Sequence, residues 1–122
     1  MLSPSIERLD YLCNTIPALL FEIPREDFSF KPASGKWSKK EIIGHLIASA
    51  TNNHHRFVRV QFEDVPFIIY DQNKWNENSH YEDMDGQHLI DFWKSYNLHL
   101  LEILKKLLKN YKENAKPMRH MM

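Results

Sequence analysis

Apolar residues recur every three or four positions along most of this chain, which is the spacing of one face of an α-helix. Runs of alternating β-branched and polar residues, typical of half-buried strands, are missing. The first predicted helix has Ser3 as its cap and Pro4 at its first helical position, and it ends before Pro24. Pro17 either kinks this helix or ends its regular part. The pattern predicts an all-α protein.

The start of the second predicted helix carries the clearest local signal. Ser38 and Glu41 have the spacing of a capping box, in which each side chain accepts the other residue's backbone N–H. Trp37, directly before the cap, is placed to pack onto Ile42 as a hydrophobic staple. The helix is expected to run to about Phe62. Its apolar face is predicted to consist of Ile42, Leu46, Ala50, Phe57 and Val60.

Two segments between the predicted helices lack a helical period and are predicted to be loops. Residues 25–36 contain Pro32 and Gly35. Residues 64–85 form a loop of about twenty residues, which is long for a compact domain. The aromatic and aliphatic side chains of this second loop, Trp75 among them, indicate that it packs against the body of the protein.

The third predicted helix starts near Asp85 or Gly86 and ends before Pro117. Its main apolar stripe consists of Leu89, Phe92, Trp93, Tyr96, Leu100, Ile103, Leu104, Leu107 and Tyr111. A second, offset stripe consists of Leu98, Leu101 and Leu108. An apolar arc this wide needs neighbours on two sides, and a fourth helix would cover it better than two helices do.

Length and charge narrow the class of protein. The 122 residues fit one domain, residues 1–122, and 43% of them are apolar, as in ordinary globular proteins. Lys plus Arg and Asp plus Glu number 16 each, so the formal net charge is zero. Nucleic-acid-binding proteins usually carry a basic excess or stripe. The lysines from Lys105 to Lys112 are interpreted as a solvated helix face, and no nucleic-acid partner is predicted.

Cysteine content and hydropathy indicate the compartment. Cys13 is the single cysteine, so the chain forms no internal disulfide, and a reducing environment is the simpler expectation. Cys13 lies among apolar residues and is predicted to be a buried, inert thiol. No run approaches the ~20 apolar residues that span a membrane, and the N-terminus does not resemble a signal peptide. The sequence predicts a cytoplasmic protein without membrane contact.

The candidates for chemistry are seven histidines: His45, His54, His55, His80, His88, His99 and His120. Histidines on one helix share a metal ion when they are three or four residues apart, and no pair here has that spacing. His45 and His54 are roughly 13 Å apart along a helix, and His88 and His99 roughly 16 Å. Motifs of the HExxH, CxxC, GxSxG and P-loop types are also missing. Spacing alone therefore predicts a helical bundle with one inward-leaning histidine, His45, whose common role is structural.

Residues 31–47 add a family resemblance. They read Lys-Pro-Ala-Ser-Gly-Lys-Trp-Ser-Lys-Lys-Glu-Ile-Ile-Gly-His-Leu-Ile. The P-x-x-G-x-W-S lead-in followed by E-I-x-x-H-L resembles the signature of the DinB-like superfamily, which includes YfiT-type metal-dependent hydrolases. Similar features follow at Asn52-Asn53, Arg56-Phe57, Tyr70-Asp71, Trp75 and the helix from Leu89 to Leu107. The resemblance covers about residues 5–110.

This resemblance implies an up-and-down four-helix bundle with a long crossing loop, of which the chain shows three helices. Members of the superfamily typically bind a divalent transition metal, here Ni, Zn, Mn or Fe, through three histidines. The first of these maps onto His45, and the other two form an H-x-x-x-H pair on the fourth helix. The implied activity is that of a small-molecule hydrolase, or of a transferase that uses a small thiol such as bacillithiol or mycothiol. Members are often homodimers.

The chain departs from that pattern in its C-terminal part. It contains no H-x-x-x-H pair, and the fourth helix is absent, truncated or supplied by a second subunit. His120 is the remaining candidate for a substitute ligand. Ser49 and Asn53, one and two turns past His45, are candidates to line the same cavity. Arg56 either binds an anionic group of a substrate or forms a surface salt bridge.

Two functions from different classes remain open. The first is a metal-dependent hydrolase or thiol transferase, indicated by His45 in its signature context. The alternative is a non-catalytic helical bundle that has lost the metal site. Such a bundle would associate with copies of itself or with other proteins through the apolar strip that the absent fourth helix leaves uncovered, since large exposed apolar patches mark interfaces.

Overall fold

The computed structural model of the protein describes residues 4–64 and 69–114, with side chains as far as Asn110. The elements in chain order are α1 (Pro4–Phe21), α2 (Arg25–Ser29), α3 (Lys39–Arg59), α4 (Gln72–Ser79), a 3-10 turn (Tyr81–Asp83) and α5 (Gly86–Asn114). The described ranges contain no strand. This confirms the all-α fold class and the three long helices. The position of Ser3, the expected cap of α1, lies outside the described residues.

Helix α5 is the centre of the bundle because it packs along both α1 and α3. Four leucines on α5 are almost completely buried: Leu89, Leu100, Leu101 and Leu107. One core cluster joins α5 to α2, α3 and the 3-10 turn, and a smaller one joins α5 to α1 through Ile6, Cys13 and Leu101. The wide apolar arc predicted for the third helix thus has neighbours on two sides. Phe92 on the same helix is nevertheless 44% exposed.

The capping box predicted at the start of α3 is present. The Ser38 hydroxyl accepts the Glu41 N–H at 3.1 Å, and the Ser38 N–H donates to Glu41 Oε1 at 3.1 Å. Ser38 is fully buried and also donates its hydroxyl to the carboxylate of Glu82. Lys31 pairs with Glu41 Oε1 at 3.1 Å. The helix ends at Arg59, slightly before the predicted end.

The buried face of α3 differs from the predicted one. The prediction is right for Ala50 and Val60, which are buried, but wrong for Ile42 and Leu46, which are 45% and 40% exposed. The buried face of this part of α3 consists of Ile43, Gly44, Ile47, Ala48 and Ala50. Both sets of residues recur at helical spacing, so periodicity alone does not choose between them. The choice is made by α5 and the 3-10 turn, which pack on the second set.

Both predicted loops contain short helices. Within residues 69–85, here called the crossing segment, α4 is capped by Asp71, whose carboxylate accepts the Lys74 N–H at 3.0 Å. Helix α4 reads QNKWNENS, and so polar a sequence shows no apolar period. In the first loop, α2 follows Pro24 directly. Helix α1 continues through Pro17 to Phe21.

None of the described helices combines the length and the apolar content that crossing a bilayer requires.

Candidate functional site

His45 lies two turns into α3, where the capping box fixes the start of the helix. Its imidazole is half-buried, with its ring centroid 5.2 Å from that of Trp37 and the two planes tilted by 42°. The Nδ1 atom of His45 is buried and has no hydrogen-bond partner within the described part of the chain. A buried polar atom without a partner costs roughly 1–3 kcal/mol, so such an atom indicates a missing partner.

A metal ion would satisfy that nitrogen, but the surrounding ligand set is incomplete. Among residues 4–64 and 69–114, no group of three or more His, Cys, Asp or Glu side chains is arranged to hold a metal ion. A catalytic metal site usually needs three protein ligands and an open position. The described residues therefore provide one candidate ligand and do not form a complete site. His120, the expected substitute, lies outside the described residues.

The other candidate residues near His45 are Ser49, Asn53 and Arg56, and none of them is fully buried. Ser49 and Asn53 are half-buried on α3. Arg56 is exposed, and its Nη1 donates to Asn53 Oδ1 at 3.2 Å, an amide oxygen rather than a carboxylate. Its guanidinium is therefore placed at the surface beside Asn53.

The crossing segment contains a second polar side chain with unmet hydrogen-bonding capacity. Asn76 on α4 is only 6% exposed, and neither its Nδ2 nor its Oδ1 has a partner in the described structure. Trp75 beside it is 44% exposed and donates its indole N–H to Tyr81 Oη at 3.3 Å. Helix α4 packs against α3, so two adjacent helices each bury a polar group that lacks a partner among the described residues.

A cluster that sequence spacing missed joins α3 to α5. His54 Nδ1 and Tyr96 Oη are hydrogen-bonded at 2.9 Å. The His54 ring also lies edge-on to His99, with centroids 5.5 Å apart and planes at 80°. Burial, followed by the positive charges of His99 and His55, lowers the pKa of His54. Spacing along the sequence relates histidines on one helix, whereas this cluster depends on the register between two helices.

The described geometry belongs to the class of helical bundles with a long crossing segment between two of the main helices. A solved structure with this fold is YfiT from Bacillus subtilis, described as a probable metal-dependent hydrolase with an unusual four-helix bundle topology. The two structures superpose with a TM-score of 0.68 at 17% sequence identity, over 87% of this chain and 64% of YfiT. The chain thus spans somewhat less than two-thirds of the length of YfiT.

Sequence comparison adds no further relative. No family model matches this chain, and no curated protein matches it. The structural likeness confirms the predicted YfiT-like fold. At this level of identity it is a likeness of fold, and the ligand role of His45 stays a prediction.

Proposed function

We propose that this protein is a metal-dependent hydrolase acting on a small molecule, with His45 as one ligand of a divalent transition metal. The observation that carries the proposal is the buried Nδ1 of His45, which lacks a hydrogen-bond partner among the described residues. The fold supports it, since YfiT, with the same fold, is described as a probable metal-dependent hydrolase. Ni, Zn, Mn and Fe are the metals considered, and imidazole ligands do not discriminate sharply among such ions.

The proposal places the remaining ligands outside the described residues or on a second copy of the chain. A shared site would make the protein a homodimer, in which a two-fold axis brings the same surface together twice. Transfer to a small thiol, in place of hydrolysis, is a variant of the same proposal. The proposed location is the cytoplasm, and the proposed substrate is a small molecule rather than a nucleic acid or a membrane.

Elemental analysis of purified wild-type protein and of His45→Ala tests the proposal, with the intact mass recorded for both. The expected result, after dialysis in metal-free buffer has removed weakly held ions, is a stoichiometric metal in the wild type that is lost in His45→Ala. His88→Ala is the matched control, because His88 is an exposed histidine on α5 and should leave the metal content unchanged. Wild-type protein of full mass that holds no Ni, Zn, Mn or Fe would contradict the proposal.

A second candidate function, homo-association without catalysis, is favoured by the exposed apolar pair on α3. Ile42 and Leu46 are one turn apart and therefore neighbours on the same helix face, and they are 45% and 40% exposed. Light scattering on the wild type and on Leu46→Glu tests this candidate. A dimer that becomes a monomer in Leu46→Glu, but not in the control Asn110→Glu, would support it. A monomeric wild type would exclude it.

A further inference from the structure

His54 and His99 meet across the interface between the two longest described helices, α3 and α5. Their ring centroids are 5.5 Å apart, and the ring planes are nearly perpendicular at 80°. His54 is half-buried between the helices, whereas His99 is exposed to solvent. His54 is therefore held by the surrounding protein, whereas His99 is accessible to a ligand from solution.

The separation of the two rings suits a shared metal ion. Imidazole nitrogens bind transition metals at about 2.0–2.1 Å, so two imidazoles on one ion have their centroids roughly 5–6 Å apart at tetrahedral or trigonal angles. The observed 5.5 Å lies within that range. Rotation of the exposed His99 side chain, with His54 held in place and no shift of α3 against α5, would then direct a nitrogen of His99 toward a metal ion on His54 Nε2.

Tyr96 orients His54 for metal binding. The His54 Nδ1–H can donate to Tyr96 Oη, which lies 2.9 Å away, and this tautomer leaves Nε2 with a free lone pair. Metal-binding histidines commonly donate their second ring N–H to an oxygen, which fixes both the tautomer and the ring orientation. The Tyr96 ring also packs edge-on against His54, with centroids 5.5 Å apart, and so limits its rotation.

Burial of His54 favours the neutral form of its imidazole, which is the form that binds a metal. Burial lowers the pKa of His54, and the nearby charges of His99 and His55 lower it further. His55 itself is exposed and points about 100° away from His54 on the helix.

We infer that His54 and His99 form a two-histidine chelating site for a divalent transition metal that bridges α3 and α5, with Tyr96 as a positioning residue. This site is separate from the one proposed at His45, since nine residues place the two histidines on opposite faces of α3, roughly 13 Å apart along its axis. No third protein ligand is arranged around the pair in the described ranges, so water molecules complete the coordination shell. Cu²⁺, Ni²⁺ and Zn²⁺ are the ions that such an imidazole pair suits best.

Titration with zinc chloride tests this inference, with heat of binding and thermal unfolding as the two readouts. The parent protein is His45→Ala, so that loss of the proposed hydrolase site does not affect the result. We expect the parent to bind one equivalent of Zn²⁺ and to unfold at a higher temperature when zinc is present. His99→Ala should bind Zn²⁺ at least tenfold more weakly and lose the thermal shift, because a single imidazole remains.

Two further variants keep the test decisive. His88→Ala removes another exposed histidine of α5 and should bind like the parent. His54→Gln should lose the site as His99→Ala does, and its circular dichroism reports whether the helices are retained. If it unfolds, His99→Ala decides alone, since that side chain is exposed. Unchanged binding in His99→Ala would overturn the inference, as would equal losses in His99→Ala and His88→Ala.

Discussion

Tyr81 packs so closely over Gly44 that a Cβ added at Gly44 would lie 2.2 Å from Cδ2 of the Tyr81 ring. Gly44 belongs to α3, and the buried Tyr81 belongs to the 3-10 turn at the end of the crossing segment. The missing side chain at position 44 therefore allows the crossing segment to sit on α3 next to His45. The hydrogen bond from Trp75 to the Tyr81 hydroxyl links α4 to the same contact.

Gly44→Ala is expected to lower the free energy of unfolding by about 1–3 kcal/mol, because the Tyr81 ring or the helix has to move. Since alanine gains ~1 kcal/mol over glycine in helix propensity, a net loss would mean that the steric cost at Tyr81 outweighs that gain. Urea unfolding of the two proteins measures the difference. In a Tyr81→Ala background the same substitution should be neutral or stabilising. Equal destabilisation in both backgrounds would show that the Tyr81 contact is not the cause.

Neighbouring residues of α3 provide a test of its buried face. Ile47 is 5% exposed and Leu46 is 40% exposed. Ile47→Ala should cost about 2–5 kcal/mol, as is usual for a cavity in a core, whereas Leu46→Ala should cost less than about 1 kcal/mol. Denaturant unfolding of both variants at low protein concentration gives the comparison. A larger loss of stability in Leu46→Ala than in Ile47→Ala would instead favour the buried face predicted from periodicity, which contains Leu46.

Local signals in the sequence are enough to predict where α3 begins. Ser38 and Glu41 are three residues apart, and their mutual hydrogen bonds form within a single turn, so no tertiary information is needed. The choice between Ile42 and Ile43 as a core residue is different, since both fit the helical period. That choice depends on Tyr81, which is distant in sequence and packs on the side of α3 that Gly44 leaves open.

Neither the two short helices nor the His54–His99 pair can be predicted from the sequence, and the reasons are related. The polar sequence of α4 has no apolar period, and only its Asp71 cap signals a helix. His54 and His99 lie on different helices, so their proximity depends on the register of α3 against α5. The family context singles out His45, whereas the lack of a partner for its Nδ1 among the described residues is a property of the folded structure.

The lowered pKa of His54 predicts how stability depends on pH. Burial is the main cause, followed by the charges of His99 and His55. In the unfolded chain His54 binds a proton at its ordinary pKa of about 6.5, whereas in the folded protein it does so only at lower pH. The unfolded state therefore binds more protons between these two values, and the free energy of unfolding should fall as the pH drops through about 6.5.

Denaturant unfolding between about pH 8 and pH 5 measures this slope. His54→Gln removes the group and should make the dependence on pH shallower. His88→Ala is the control, because it removes an exposed histidine of α5 and should keep the slope of the wild type. If the free energy of unfolding of His54→Gln depended on pH as steeply as that of the wild type, groups other than His54 would cause the pH dependence.

Cys13 should be unreactive as long as the protein is folded. Its side chain is completely buried in the cluster that joins α1 to α5, and burial, followed by the charge of Asp10, raises the pKa of its thiol. Because the thiolate is the reactive species, an aromatic disulfide reagent should label native Cys13 only as fast as the protein opens, and at once in denaturant. Ala18→Cys in a Cys13→Ala background places a thiol at an exposed position of the same helix and should react immediately. Equal rates for the two native proteins would mean that α1 separates from α5 readily in solution.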